Sequence, residues 1–259
     1  MIISHKYKMI FIGFPFSASS AITKELYLQY EGKPYLSKHS LYKEFKRHAK
    51  EKELQYFMFA VLRNPMEIVA TRYVKMKKDV KGNFHNKKLF KENGGHITRR
   101  QRDKHRFIHE NNATFQQFFL RFYKRPYDNI SSSTIDKCNY IIRYEKIDKD
   151  YIDALKKAGV DNPRPLPAAN RTLGKNKDLM SYYTPEIKKR ALYVFGPFFE
   201  KYNYSFPESW GENKPTLYSR LIFKLALFLR NIREDFFITK NHKSLKGTIY
   251  GDIQRNEGK

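Results

Sequence analysis

The chain has 259 residues, with 51 Lys and Arg against 26 Asp and Glu, a formal net charge of +25. Hydrophobic residues make up 41% and aromatics 16%, enough to fill a core, which excludes a wholly disordered chain. The single cysteine, Cys138, excludes a disulfide framework and a cysteine-based zinc site and is compatible with a reducing compartment.

The length suits one large domain, or one domain with an appendage. The charge points to a polyanionic partner: nucleic acid, an anionic membrane surface, or a phosphate-bearing or acidic substrate. A low-GC genome that favours Lys, Asn, Ile and Tyr would produce part of this bias with no functional cause. The start, Lys6 to Phe16, imitates a signal peptide, but Gly13 and Pro15 interrupt its apolar run and a helix-like segment follows directly.

In chain order, Lys8–Phe14 (KMIFIGF), Tyr56–Leu62 (YFMFAVL) and Tyr140–Tyr144 (YIIRY) are short, nearly continuous apolar runs. Such runs predict strands covered on both faces. Helical patterns separate them at Ala21–Tyr30, Ser40–Lys52, Pro65–Lys78, Thr114–Arg125 and Thr184–Lys201. Alternating strands and helices predict an α/β fold with a mainly parallel central sheet. Residues 75–110 carry twelve Lys or Arg, four acids and four His, and are expected to be a basic insertion or mobile segment. Residues 1–210 are expected to form the main domain. The remainder, 211–259, reads as a basic amphipathic helix, Leu217–Ile238, and a polar tail.

Two segments point to phosphate chemistry. Gly13 to Ala21 reads as a strand end, a tight turn of small residues and a helix start, where backbone N–H groups attract an anion. Small side chains at Ser17, Ala18, Ser19 and Ser20 let a phosphate approach the backbone. A nucleoside-triphosphate loop requires Gly-Lys where Ala18-Ser19 stands, so a standard NTPase is not expected. The second segment, RNPMEIVATRY from Arg63 to Tyr73, puts Arg63 at a strand end, where open α/β sheets bind ligands. Thr71 follows two helical turns later, and the pair suits a second phosphate.

With both segments in this order the chain resembles the sulfotransferases that use 3′-phosphoadenosine 5′-phosphosulfate (PAPS), closest to the carbohydrate-type and bacterial members. Their R-N-P-x-[DE]-x-x-x-[ST]-x-Y pattern is matched at Arg63, Asn64, Pro65, Glu67, Thr71 and Tyr73. The resemblance continues through Ile142-Arg143-Tyr144-Glu145, Asn170, Tyr183-Thr184-Pro185-Glu186 and Phe199 to Tyr204, and covers about residues 6–207. It implies a P-loop-like domain and transfer of a sulfuryl group to a hydroxyl or amine, on a saccharide or glycolipid, without a metal. The implied donor contacts are Pro15, Phe16, Ser17, Ala18, Ser19, Ser20 and Ala21 on the 5′ side, Arg63 and Thr71 on the 3′-phosphate, and Arg171 in a loop over the donor. Family members usually carry Lys or Arg where this chain has Phe16. Either Lys24 or Lys38 supplies that charge, or the site is impaired. The expected base is His39, since histidine has an ordinary pKa of ~6.5.

His105 and His109, four residues apart, would share a helix face, but the Arg and Lys around them and the lack of an obvious third ligand favour a solvated basic surface. No RNA-recognition signature is present, so nucleic acid is not the expected partner. The basic residues beside the apolar ones in 217–238 suit an anionic membrane surface. The expected location is cytoplasmic, peripheral at the inner membrane.

Overall fold

The computed structural model describes residues 1–128, 130–167, 178–236 and 248–257. It is an α/β structure in two compact units, one built from residues 1–63, 130–171 and 231–259, the other from 64–129 and 172–230. The division is interleaved along the chain and does not fall at residue 210. Arg171, and the loop around it, lie outside the described residues, as does the tail from 237 to 247.

The first unit holds a five-stranded sheet: β1 (Ile2–Ser4), β2 (Met9–Ile12), β3 (Lys33–Pro34), β4 (Phe57–Leu62) and β5 (Tyr140–Arg143), in the order β3-β1-β2-β4-β5. Strands β2, β4 and β5 run parallel, while β1 pairs antiparallel with both β2 and β3. The sheet is therefore mixed, with β1 alone running against the other four strands. Strands β1 and β3 are three and two residues long, too short to leave a periodic signal. Strands β2 and β4 are almost wholly buried, and that is why they read as unbroken apolar runs, whereas β5, at the sheet edge, fully buries only Ile142. Helix α1 (Ser19–Gln29) buries Ile22 and Leu26 against them, with Phe11, Phe59, Val61 and Ile142 at the centre. Helix α2 (Tyr42–His48) replaces the front of the expected helix at Ser40–Lys52, and a 3₁₀ turn, Glu51–Gln55, the rest.

The second unit begins with α3 (Pro65–Lys78), the span predicted. Asn64 explains that agreement: its side chain accepts from the Met66 N–H, and Pro65 needs no donor at the first helical position. Residues 75–110 are not merely an excursion, because α4 (Arg99–Glu110) forms there behind a Thr98–Gln101 capping box. A second such box, Thr114–Gln117, starts α5 (Phe115–Phe122). In the first unit α6 (Ile147–Lys157) follows β5 and buries Tyr151, Ala154 and Leu155. Helix α7 (Pro185–Tyr202) meets α5 in an aromatic core in which Phe119 stacks on Phe195 and packs edge-on to Tyr183. Helix α8 is Leu217–Phe236 and α9 is Ile249–Glu257. Among the described residues no helix is long and apolar enough to cross a membrane.

Lys104 is buried in this second unit, its ammonium 5.0 Å from the ring centres of Phe122 and Tyr123. Burial, reinforced by repulsion from Arg72 and Arg100, pushes its pKa down to about 7. The unfolded chain holds that proton up to about pH 10. It therefore binds more protons than the folded chain between about pH 7 and about pH 10, and stability rises with pH across that window. Lys104→Met is expected to flatten the rise and to stabilise the chain at pH 7 by about 1–3 kcal/mol. Urea unfolding at several pH values measures both effects; a variant with an unchanged pH slope would refute the assignment.

Candidate functional site

Because β2, β4 and β5 are parallel neighbours, their C-terminal ends lie side by side at one edge of the sheet. That edge receives Gly13 from β2, Arg63 from β4 and Tyr144 from β5. It is the edge at which open α/β sheets bind ligands.

Residues 13–18 turn tightly from β2 into α1. Gly13 is needed there, since a Cβ at this position would sit 2.9 Å from the Ser19 Cβ. Phe16 and Ala18 both adopt left-handed backbone, with φ of 65° and 53°. For residues with a Cβ this costs on the order of 1–2 kcal/mol each, a strain that clusters at ligand-binding turns. Ala18 caps α1 without a side-chain bond, so the first-turn N–H groups of the helix, with their partial positive charge, present an anion-binding end.

Three side chains converge on this turn. Arg63, 8% exposed, donates from a guanidinium NH to the Phe16 carbonyl at 2.9 Å. Its guanidinium also lies 4.0 Å from the ring centre of Tyr144, a cation–π contact between two segments singled out in the sequence. Lys38 donates from Nζ to the Ser20 hydroxyl at 3.4 Å, bringing a cation to the helix start. His39 contacts the Gly13 carbonyl through Nδ1 at 2.6 Å. A carbonyl only accepts, so Nδ1 carries the proton, and in the neutral ring Nε2 is the basic nitrogen. The segment carrying both residues is locked by Ser37 and Ser40, whose hydroxyls are 2.8 Å apart and whose backbones are bonded across the turn.

The expected donor residues do not all behave alike. Pro15, Phe16, Ala18, Ser20 and Ala21 are half-buried around the turn, and Ser19 is buried. Ser17 is also buried, and its hydroxyl donates inward to the Phe14 carbonyl at 2.7 Å, bracing the turn and not facing a ligand. Of the two lysines expected near the turn, Lys38 reaches it, whereas Lys24 is exposed along α1. Thr71 is buried two turns into α3, in the second unit. The sequence carried no sign that the Tyr144 ring supports Arg63. The only available cue was an aromatic residue directly after a strand.

Compared with protein-family models, curated proteins and solved structures, the chain matches none of them.

Proposed function

We propose that the protein is a PAPS-dependent sulfotransferase acting on a hydroxyl or amine of a saccharide or glycolipid. The observation that carries this reading is the meeting of Arg63, Lys38 and His39 on the strained turn between β2 and α1. A cation buried against the turn, a second cation at a helix start and a histidine with a basic Nε2 are the groups that sulfuryl transfer needs. The turn then acts as a P-loop-like cradle for the 5′-phosphosulfate, and Arg63 binds the donor's phosphates.

In the reaction the acceptor oxygen forms a bond to sulfur while the bond from sulfur to the bridging phosphate oxygen breaks. The acceptor proton passes to Nε2 of His39, and the leaving group is 3′-phosphoadenosine 5′-phosphate. Charge develops on the bridging oxygen. The α1 N-terminus and the Lys38 ammonium offset it, the role family members usually give to the residue at the Phe16 position. His39 is held through Nδ1, so its orientation does not have to be found during the reaction.

The acceptor side rests on α8. Leu217, Leu221, Leu225 and Phe228 are 79%, 64%, 49% and 60% exposed. Their spacing puts them along one face, with Lys224 and Arg220, the latter ion-paired with Glu200, interleaved. An apolar stripe flanked by cations on a strongly basic chain suits an anionic membrane surface, where lipid-linked saccharides are presented. The chain is expected to float with vesicles containing phosphatidylglycerol, and the double variant Leu221→Glu/Leu225→Glu is expected to stay at the bottom of the gradient. Equal flotation of both would refute a role for the stripe.

Thermal unfolding with 3′-phosphoadenosine 5′-phosphate, AMP and ATP tests the donor. The bisphosphate alone is expected to raise the Tm, in proportion to the logarithm of its concentration above Kd. An equal response to all three would indicate a general polyanion binder, and no response a degenerate donor site. Transfer of labelled sulfate from PAPS to an acceptor completes the test.

A further inference from the structure

A second group of titratable side chains lies wholly within the second unit and takes no part in the proposed transfer. Helix α3 ends on Asp79, which adopts left-handed backbone with φ of 33°. The chain then reverses through Gly82, also left-handed, whose N–H donates to the Asp79 carbonyl at 2.7 Å. The Asp79 carboxylate is fixed from behind: Oδ1 accepts from the Asn83 N–H at 2.8 Å and Oδ2 from the Phe84 N–H at 3.2 Å. The reversal carries His85 back over α4.

Two imidazoles face that carboxylate. Nε2 of His85 and Nε2 of His105 each lie 3.9 Å from Oδ2 of Asp79, and the three ligand atoms all fall within 4.8 Å of one another. His105 is 6% exposed, and its Nε2 is buried without a hydrogen-bond partner. Its ring is stacked on Phe84, with centres 4.7 Å apart at 16°, and its other neighbour is His109, at 4.3 Å. A buried imidazole nitrogen without a partner, aimed at a carboxylate and a second imidazole, costs free energy unless something bridges the three.

We propose that Asp79, His85 and His105 form a binding site for a divalent transition-metal ion of the zinc class. Two imidazole nitrogens and one carboxylate oxygen are ligands of that class; magnesium and calcium take oxygen alone. Bonds of about 2.0–2.1 Å in tetrahedral geometry put neighbouring ligand atoms about 3.3 Å apart. The observed 3.9 Å separations are wider than this by roughly half an ångström. His85, whose side chain is 76% exposed, closes its own separation without disturbing the core, and that between Asp79 and His105, both buried, closes by a small turn of either side chain. The backbone bonds to Asp79 and the Phe84 stack supply the outer support that orients such ligands. The ion pins the turn after α3 to α4 and so orders the first part of the basic segment. Three protein ligands leave a fourth position for solvent.

The test is titration of the full-length, untagged, EDTA-treated chain with cobalt(II), read by its d–d absorption, followed by displacement with zinc. One equivalent is expected to bind saturably, with a rise in Tm. His85→Ala removes an exposed ligand whose ring packs edge-on to that of His105, and is expected to weaken binding at least tenfold. His105→Gln is expected to abolish the d–d band. His5→Gln, in the first unit, is expected to bind as the native chain does. Absence of a saturable single equivalent, or native affinity in both His85→Ala and His105→Gln, would overturn the proposal. The sulfate-transfer reading does not depend on either result.

Discussion

Arg63→Ala is expected to abolish the thermal stabilisation given by 3′-phosphoadenosine 5′-phosphate, with at least a hundredfold loss of affinity. The guanidinium is buried, donates to the Phe16 carbonyl and packs on Tyr144, so removal acts twice. A charge-assisted contact to the ligand phosphate is lost, and the left-handed backbone at Phe16 loses the donor that holds it. Charge-assisted hydrogen bonds contribute about 1.5–3 kcal/mol each, and a buried carbonyl stripped of its partner costs about 1–3 kcal/mol more. Together these come to about 2.5–6 kcal/mol, set against the roughly 2.7 kcal/mol that a hundredfold change requires. Arg63→Lys is expected to restore little, because an ammonium presents no planar face to Tyr144 and no fork to a phosphate. A two-state urea transition of the variant without ligand separates loss of binding from loss of folding. Undiminished stabilisation by the bisphosphate in Arg63→Ala would remove the donor site from the edge formed by β2, β4 and β5.

His39→Asn is expected to lower kcat for sulfate transfer by about 10²–10⁴-fold, the range for loss of a positioned general base. Binding of 3′-phosphoadenosine 5′-phosphate is expected to survive. The asparagine amide keeps a donor near the Gly13 carbonyl that His39 contacts at 2.6 Å, so the turn is supported while the basic nitrogen is gone. The native rate is expected to fall on the acid side as the imidazole takes up a proton, and this limb is expected to vanish in the variant. The split is diagnostic. A brace for the turn would show its loss in donor affinity, whereas a base shows it in turnover and in the pH profile. A variant with native kcat would move the base elsewhere.

Some features were legible because one physical cause dominates each. Strands β2 and β4 are covered on both faces, so their apolar runs KMIFIGF and YFMFAVL could not belong to an exposed surface, while YIIRY forms an edge strand in which only Ile142 is fully buried. Helix α3 begins where Asn64 and Pro65 dictate, because a side-chain cap and a missing N–H act within two residues of the helix start. The turn from Gly13 to Ala18 could be found from its small residues and the strand before it. Strands β1 and β3 could not, since two or three residues become a strand only when a neighbour supplies hydrogen bonds.

The site shows the same divide. By itself the sequence determined which side chains are charged and which segments end at the sheet edge. It could not choose between Lys24 and Lys38, because Lys24 is nearer in sequence and only the fold of residues 35–40 brings Lys38 to Ser20. Nor could it show that Ser17 turns inward, or that Arg63 rests on a tyrosine 81 positions later. Residues Asp79 and His85 are joined to His105 by a left-handed reversal at Asp79 and Gly82, which no helical spacing of His105 and His109 reveals. Local hydrogen bonds and apolar periodicity act over a few residues and can be read from the chain. Which distant side chains meet is set by sheet order and backbone reversals, and these exist only once the whole core has formed.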